Sequence, residues 1–256
     1  MFEGLLNFAN VSNHLILIGI LCILAMSLNL INGSLGAFSL GHHGFWGMGA
    51  YAAAVLVWTF GSPEGSILVF AASFLVGIIA AALFGLFVGA PCLRLRGDYL
   101  AIATLGFAEI FIICVRNSEA WFGERGLGGA AGFSIGDGYR GGNDVILRLV
   151  GGSNDWRQAA YLVLTWVLVA AVFILIRNLT RSGLGRAIHA IRDDETAAEL
   201  MGISLTRYKV MVFVIGAGLA GLAGALSANY RSSLSPAQFL MMDGIKILLI
   251  VVLGGL

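Results

Sequence analysis

The sequence predicts an all-α membrane protein, a polytopic bundle of transmembrane helices. Two observations support this prediction. Of the 256 residues, 59% are hydrophobic and only 11% are charged, whereas soluble domains carry about 25% charged residues. The apolar residues also form runs that approach the roughly 20 residues a helix needs to cross a bilayer. A soluble domain of this size could not keep so much apolar surface from water, so the chain is expected to be an integral membrane protein.

Seven apolar runs follow one another, and they predict about 6–7 spans in a single transmembrane domain covering residues 1–256. The runs are Leu15–Ile31, Phe45–Phe60, Ser66–Ala90, Tyr99–Val115, Tyr161–Ile176, Val210–Tyr230 and Ile245–Leu256. The seventh holds only about 12 residues, and a helix that stopped inside a bilayer would leave its carbonyl groups unpaired. We therefore expect the sequence to be truncated at its C-terminal end.

Two loops rich in basic residues predict the orientation. One carries Arg94 and Arg96, and the other, 181–209, carries five arginines and lysines. Basic residues concentrate in short cytoplasmic loops. Because two predicted spans separate these loops, both are expected in the cytoplasm. The loop 117–157 and the N-terminus are then expected outside, with the loop either a connector or a lid over a substrate path.

The loop 181–209 has a pattern of its own. Its apolar side chains recur close to helical spacing, and acidic side chains occupy much of the other face. Gly202 follows the last periodic residue, where a helix would end in a left-handed conformation. These features predict a short amphipathic helix or helix pair. Such an insert is larger than a turn requires, so it indicates a surface for a partner in the water phase.

Few residues inside the apolar runs carry chemistry. Glu109 lies about ten residues into the fourth run, where a carboxylate is costly and usually faces a cavity or a partner; a hydrogen-bonded packing role stays open. His42 and His43 are adjacent and would point in different directions on a helix, which disfavours a metal site. The neighbouring glycines, Gly44 among them, permit either a close approach of backbones or a broken helix, and broken membrane helices often line substrate sites. With Asn29 as a weaker polar candidate, we expect Asn29, His42, Gly44 and Glu109 along a translocation path.

Other patterns narrow the function. The sequence contains no GxxxxGK[ST], GxSxG or HExxH motif, so no catalytic residue, cofactor or metal site is predicted. The net charge of +1 gives no footprint for nucleic acid. A strip of small residues at Gly216, Gly218, Gly221 and Gly224 is typical of tight helix packing, within the chain or between subunits.

Three longer motifs resemble a known family. The segments Ser27–Leu56, Leu93–Ile110 and Arg181–Leu226 are similar to the motifs of branched-chain amino acid ABC transporter permeases, and Leu234–Phe239 and Ile247–Leu256 follow in the order of that family. The LRLRG stretch resembles the longer of its two permease types. The chain departs from the family where His-Ala-Ala is usual, because it has His42-His43-Gly44 there.

The resemblance implies an ABC importer permease fold in the bacterial inner membrane, without an ATPase site of its own. Implied partners are two ABC ATPase subunits, a sister permease and a periplasmic or lipid-anchored substrate-binding protein, besides membrane lipid. The stretch Gly185–Gly202 would be the coupling helix that docks on an ATPase during alternating access. Ile188, Ile191 and Met201 would fill its groove. Polar contacts would come from Arg192, Asp193, Asp194, Glu195 and Glu199.

Three alternatives remain open from the sequence. The same fold could import urea, short amides or other amino acids. An ion-coupled secondary transporter would need acids or cation ligands in several spans. A membrane-embedded enzyme would need several His, Asp or Glu side chains at one depth.

Overall fold

A computed structural model describes residues 8–60, 66–93, 95, 98–118, 127–130, 132–134, 154–231 and 233–255. Its helices are α1 (Phe8–Asn29), continued by a wider π-helical turn (Leu30–Ser34), α2 (His42–Phe60), α3 (Ile67–Cys92), α4 (Asp98–Arg116), α5 (Asn154–Arg181), α6 (Gly183–Asp193), α7 (Glu195–Leu200), α8 (Leu205–Tyr230), a 3-10 turn (Pro236–Phe239) and α9 (Met241–Gly254). Two short strands, β1 (Phe133–Ser134) and β2 (Ser233–Leu234), pair antiparallel.

Six helical stretches of the described chain are long and apolar enough to cross a membrane. They are Asn10–Ser34, Ile67–Cys92, Tyr99–Arg116, Trp156–Arg181, Leu205–Tyr230 and Pro236–Gly254. They confirm an all-α, polytopic membrane protein and match six of the seven predicted runs. The run at Phe45–Phe60 is also helical, as part of α2, but it is not one of the six. The two histidines and the glycines of α2 lower the hydropathy of that helix, and most of its residues are buried.

The centre of the bundle is formed by α2, α3 and α8. The backbones of all three helices meet at Gly49, Gly77 and Gly221. A Cβ added to Gly49 would lie 2.3 Å from the Cα of Gly221, and one added to Gly221 would lie 2.4 Å from the carbonyl oxygen of Gly77. A side chain larger than hydrogen would hold these helices apart. The predicted strip of small residues therefore packs within the chain.

The helix α8 is the innermost of the three. Every residue from 216 to 229 is buried, which is expected of a helix that other helices surround on all sides. Two more of its glycines lie against neighbours: a Cβ on Gly216 would meet the Ile31 side chain at 2.7 Å, and one on Gly224 would meet the Trp46 carbonyl oxygen at 2.3 Å.

The connection between α1 and α2 is irregular and is held by side chains. The backbone N–H of Ser39 donates to Oδ1 of Asn32 at 3.1 Å, which closes the segment into a loop. The N–H of Leu40 donates to Oγ1 of Thr104 on α4 at 3.3 Å. Such non-helical backbone is tolerated in membrane proteins where protein surrounds it. The backbone is irregular before His42, but α2 continues without a break through Gly44 and Gly49. Of the two expectations for these glycines, a broken helix or a close backbone approach, they serve the close approach.

The two ends of the bundle differ. The helices α6 and α7 pack against the beginning of α8, near Leu205 and Val212. The strand β2 follows the end of α8 at the opposite end, and it joins the chain to β1. Since α8 has 26 residues, these ends lie about 39 Å apart at 1.5 Å per residue. Most of the loop 117–157 lies outside the described residues.

We expect Gly221→Ala to lower the free energy of unfolding by about 1–3 kcal/mol, the usual cost of overpacking a well-packed core. The added methyl group would push α3 away from α8. Thermal unfolding of the full-length protein in detergent would measure the change. The matched control is Gly106→Ala on α4, where nothing lies within 4 Å of the added Cβ. Equal midpoints for the two variants would contradict the three-glycine contact.

Candidate functional site

The helix pair α6–α7 projects from one end of the bundle, and its limits are set by capping residues. The Ser182 hydroxyl accepts the N–H of Gly185 at 3.4 Å at the start of α6. The Asp194 carboxylate accepts the N–H groups of Thr196 and Ala197 at 2.8 and 3.1 Å at the start of α7. Gly202 has a φ of +83° just beyond the pair. The predicted amphipathic helix pair and its glycine terminus are confirmed.

The apolar face of α6 is turned toward the protein's own core. Ile188 and Ile191 are 0% and 1% exposed, and they pack in one cluster with Leu30, Leu35 and Val212. The prediction that these two isoleucines fill a partner's groove is wrong, because the residues that follow α1 and the beginning of α8 already cover them. Their physical role is to anchor the helix pair to the transmembrane bundle.

Gly185 has a similar internal role. A Cβ at this position would lie 1.9 Å from the carbonyl oxygen of Thr180. The glycine therefore lets α6 turn back closely on the end of α5. It shapes the helix pair from inside and is buried, so the partner contact predicted for it is also corrected.

Arg192 is directed to the connection between α1 and α2. Its guanidinium donates to the carbonyl oxygen of Gly33, and Gly36, with a φ of +72°, lies so close that an added Cβ would meet the arginine Cγ at 3.2 Å. Arg192 thus makes a contact within the chain, and because it is also exposed, its polar contact with a partner stays a prediction. This bond ties α6 to the irregular segment that leads into α2.

Two of the predicted acidic contacts also have partners in the chain. Asp194 caps α7, as described above, and Glu195 lies 2.6 Å from the Lys209 ammonium on α8. Asp193 and Glu199 are exposed. Of the predicted acidic set, these two are therefore the side chains most available to a partner.

The outermost part of the helix pair is the end of α7. Leu200 and Met201 are 84% and 83% exposed, beside Glu199 and the left-handed Gly202. Exposed large apolar side chains rimmed by charge are typical of interaction sites. Met201 was predicted from the sequence, but Leu200 was not, because it lies outside the apolar stripe of the helix. An apolar residue outside that stripe is the signal that could have identified it.

A second group of polar side chains lies inside the bundle. His42 is 1% exposed, and its Nε2 lies 2.7 Å from the Ser27 hydroxyl on α1. His43 is fully buried, and its Nε2 lies 3.5 Å from Oε1 of Glu109 on α4. The sequence does not identify His43 as the partner of Glu109. The sequence pattern does not predict that the start of α2 packs against the middle of α4.

Of the four residues expected along a translocation path, His42, Gly44 and Glu109 lie near one another, where the start of α2 packs against α4. Gly44 is buried where an added Cβ would meet the Cβ of Ala108 at 2.7 Å, so it serves the close approach of α2 and α4 and does not line a path. His42 is enclosed by its neighbours and is corrected in the same way. Glu109 is partly exposed, with 37% of its side chain accessible. Asn29 lies at a mostly apolar groove of about 540 Å³ between α1, α5 and α9.

This arrangement is suited to docking and mechanical coupling. Among the described residues, no group of three or more His, Cys, Asp or Glu side chains is placed to hold a metal ion. The helix pair offers an exposed tip on one side, and on the other side it is anchored through Ile188, Ile191 and Arg192 to three parts of the bundle.

Comparison with known proteins gives a consistent set of similarities. The sequence model of the family described as "Branched-chain amino acid transport system / permease component" matches residues 10–256. The chain is 38% identical over 244 residues to the high-affinity branched-chain amino acid transport system permease protein LivM of Salmonella typhimurium, covering 91% of this chain and 56% of that protein. The identity and both coverages are the same for LivM of Escherichia coli.

A second type of permease is also similar over a shorter stretch. The permease protein LivH of Salmonella typhimurium is 35% identical over 99 residues, which is 39% of this chain and 31% of LivH. No solved structure matches the chain. The chain spans about half the length of the LivM proteins it matches, namely 56%.

We expect His43 and Glu109 to be energetically coupled. Groups in contact show interaction energies of about 0.5–3 kcal/mol in double-mutant cycles. The cycle His43→Gln, Glu109→Gln and the double variant would be measured as free energies of unfolding of the full-length protein in mixed micelles. A control cycle combines Glu109→Gln with His189→Gln, at an exposed position of α6, and the two changes in free energy should be additive. Additivity in both cycles would contradict the contact between α2 and α4.

Proposed function

The chain belongs to the family of branched-chain amino acid transport system permease components, and we propose that it is a membrane-spanning permease subunit of an ATP-driven ABC importer. It carries branched-chain, hydrophobic amino acids across the cytoplasmic membrane of a bacterium. The cargo is taken from the names of the LivM relatives, which are called branched-chain amino acid permease proteins. The sequence contains no nucleotide-binding motif, so separate ATPase subunits supply the energy.

The observation that carries this proposal is the helix pair α6–α7. An amphipathic pair buries its isoleucines against the bundle and leaves Leu200 and Met201 exposed at its tip. A partner can bind the exposed tip of such an element, and the buried face then transmits the partner's movement to the bundle. We place an ATPase subunit on the tip and assign the pair to the cytoplasmic side, as the basic residues of the loop 181–209 indicate.

The coupling path runs from the tip to the centre of the membrane domain. An ATPase that moves α7 moves α6, because Ile188 and Ile191 fix α6 to α1 and α8. Arg192 passes the displacement to the irregular segment 30–41, which leads directly into α2. Since α2 lies against α3 and α8 through glycine contacts, its motion shifts the helices together. This is a physical route for alternating access, in which the path opens outward, receives the amino acid and then opens inward.

The remaining partners follow from the same proposal. A sister permease completes the membrane pore, in keeping with the similarity to LivH as well as LivM. Two ATPase subunits form the motor, and a periplasmic or lipid-anchored binding protein delivers the substrate. Tight recognition of the cargo rests with the binding protein. An importer of urea, short amides or other amino acids would use the same machinery.

One observation favours a second candidate, an ion-coupled transporter. Glu109 is not isolated, since the buried His43 ring lies within 3.5 Å of it. Uptake of leucine by cells or vesicles separates the two candidates. The ABC importer loses uptake when ATP is depleted and keeps it when the ion gradient is collapsed. The opposite result would establish the ion-coupled transporter.

We expect Met201→Glu to reduce co-purification of the ATPase subunits with the full-length permease by about tenfold or more, because apolar anchors at the centre of an interface cost more than 1 kcal/mol when lost. The control is Thr206→Glu, which adds the same charge at an exposed position of the neighbouring first turn of α8. Unchanged recovery of the ATPase with Met201→Glu would remove the tip of α7 from the interface.

Arg192→Gln tests the coupling path separately. We expect the variant to retain its ATPase subunits but to lower the rate of leucine uptake about tenfold, since a hydrogen bond from a charged donor contributes about 1.5–3 kcal/mol. Recovery of the complex and the uptake rate would be measured on the same preparation. Arg186→Gln, which removes the same charge at an exposed position of α6 and was not predicted to contact a partner, serves as the comparison. Normal uptake by Arg192→Gln would contradict a route through Gly33.

A further inference from the structure

A polar cavity of about 650 Å³ lies at the end of the bundle opposite to α6 and α7. Its walls come from the beginnings of α1 and α5, from the end of α8, and from the residues that follow α8. Its volume falls within the range of roughly 300–1,000 Å³ that small-molecule sites occupy. With the loop 181–209 in the cytoplasm, this cavity opens toward the outside, where an importer receives its cargo.

The charge of the cavity is set by two arginines. Arg157 lies in the first turn of α5, and Arg231 follows the last residue of α8. Both side chains are partly buried, and neither forms an ion pair with a carboxylate of the described residues. Both side chains line the cavity together with Tyr230. The positive end of the α5 dipole adds to the same field, so the cavity is poised for an anionic group.

Another part of the cavity wall is apolar. Leu17 and the rings of Tyr161 and Tyr230 line the cavity, and the two rings meet edge to face with centroids 5.5 Å apart. The Tyr161 hydroxyl donates to the carbonyl oxygen of Asn229 at 3.0 Å, and the Tyr230 hydroxyl is bonded to Asn13. Because both hydroxyls are used within the protein, the rings present mainly apolar surface to the cavity.

We propose that this cavity is a receiving site for a free amino acid with an apolar side chain, in which Arg157 and Arg231 hold the α-carboxylate. Arginine binds carboxylates through paired, charge-assisted hydrogen bonds. The amino acid side chain lies against Leu17 and the tyrosine rings. Gln238, which also lines the cavity, offers an amide oxygen to the ammonium group. The proposal rests on the importer function and adds to it a substrate contact on the permease itself.

The direct test measures leucine binding to the full-length permease in lipid nanodiscs, without binding protein, by titration calorimetry. We expect weak binding that falls at least tenfold in the double variant Arg157→Gln/Arg231→Gln. Leucinol, which has a hydroxymethyl group in place of the carboxylate, should bind equally poorly to both proteins. Arg116→Gln is the matched control, because Arg116 is an exposed arginine at the end of α4 and does not line the cavity. Equal leucine affinity for the double variant and the control would overturn the proposal.

A transport assay separates this proposal from the importer function. If the assembled wild-type transporter shows no ATP-dependent leucine uptake, the importer function fails. If the wild type imports leucine but the double variant keeps its apparent KM and its leucine affinity, only the receiving site fails. We expect a KM raised about tenfold with little change in maximal rate. Arg157→Lys/Arg231→Lys, which keeps both charges, should recover part of the loss and would show that the protein still folds.

Two other ligands of the arginines, the binding protein and an anionic lipid, would give distinct results in the same experiments. If the double variant loses affinity for the binding protein while leucine titrates normally, the arginines belong to a docking surface and the proposal is overturned. If leucine does not bind in nanodiscs of either neutral or anionic lipid, while the wild type retains anionic lipid that the double variant loses, the arginines hold a lipid phosphate and the proposal is again overturned.

Discussion

The structure depends on one close contact, the meeting of α2, α3 and α8 at Gly49, Gly77 and Gly221. In a membrane, lipid is as apolar as the helix surfaces, so helices associate by fitting closely and not by escaping water. Glycine allows backbone to lie against backbone, and an added Cβ would come within 2.3–3.0 Å of a neighbour at these positions. Once these helices are joined, α1 packs against α8, α5 and α9 pack against α1, and α4 closes on α2.

This contact also explains why polar groups can lie in the interior. Because other helices enclose α2, its residues His42 and His43 do not face lipid. The non-helical segment that precedes α2 is shielded from lipid in the same way. Ser27 and Glu109 approach these rings from α1 and α4. The same enclosure places the irregular segment 30–41 between the glycine contact and the helix pair α6–α7. Arg192 and the two isoleucines bind that segment and its surroundings, so the exposed tip of α7 is mechanically connected to the middle of the bundle.

The bundle has two functional ends, and they differ in chemistry. The end with α6 and α7 presents a small apolar tip rimmed by charge, which suits a protein partner. The other end encloses a cavity with two arginines and an apolar wall, which suits a small amphipathic ligand. The helices α1, α5 and α8 each reach both ends. A displacement of these helices at one end is therefore transmitted to the other end, as an importer driven from the cytoplasm requires.

The sequence by itself determined the class of the protein, the positions of its helices, the amphipathic pair and the left-handed Gly202, since hydropathy runs, helical spacing and glycine conformation are local properties of the chain. Only the tertiary structure decided that Ile188 and Ile191 face inward, that Arg192 contacts Gly33, that His43 meets Glu109, and that Arg157 and Arg231 share a cavity. Each of these contacts joins residues far apart in the chain. A periodic pattern marks the apolar face of a helix, but the partner that covers that face is fixed only when the helices pack.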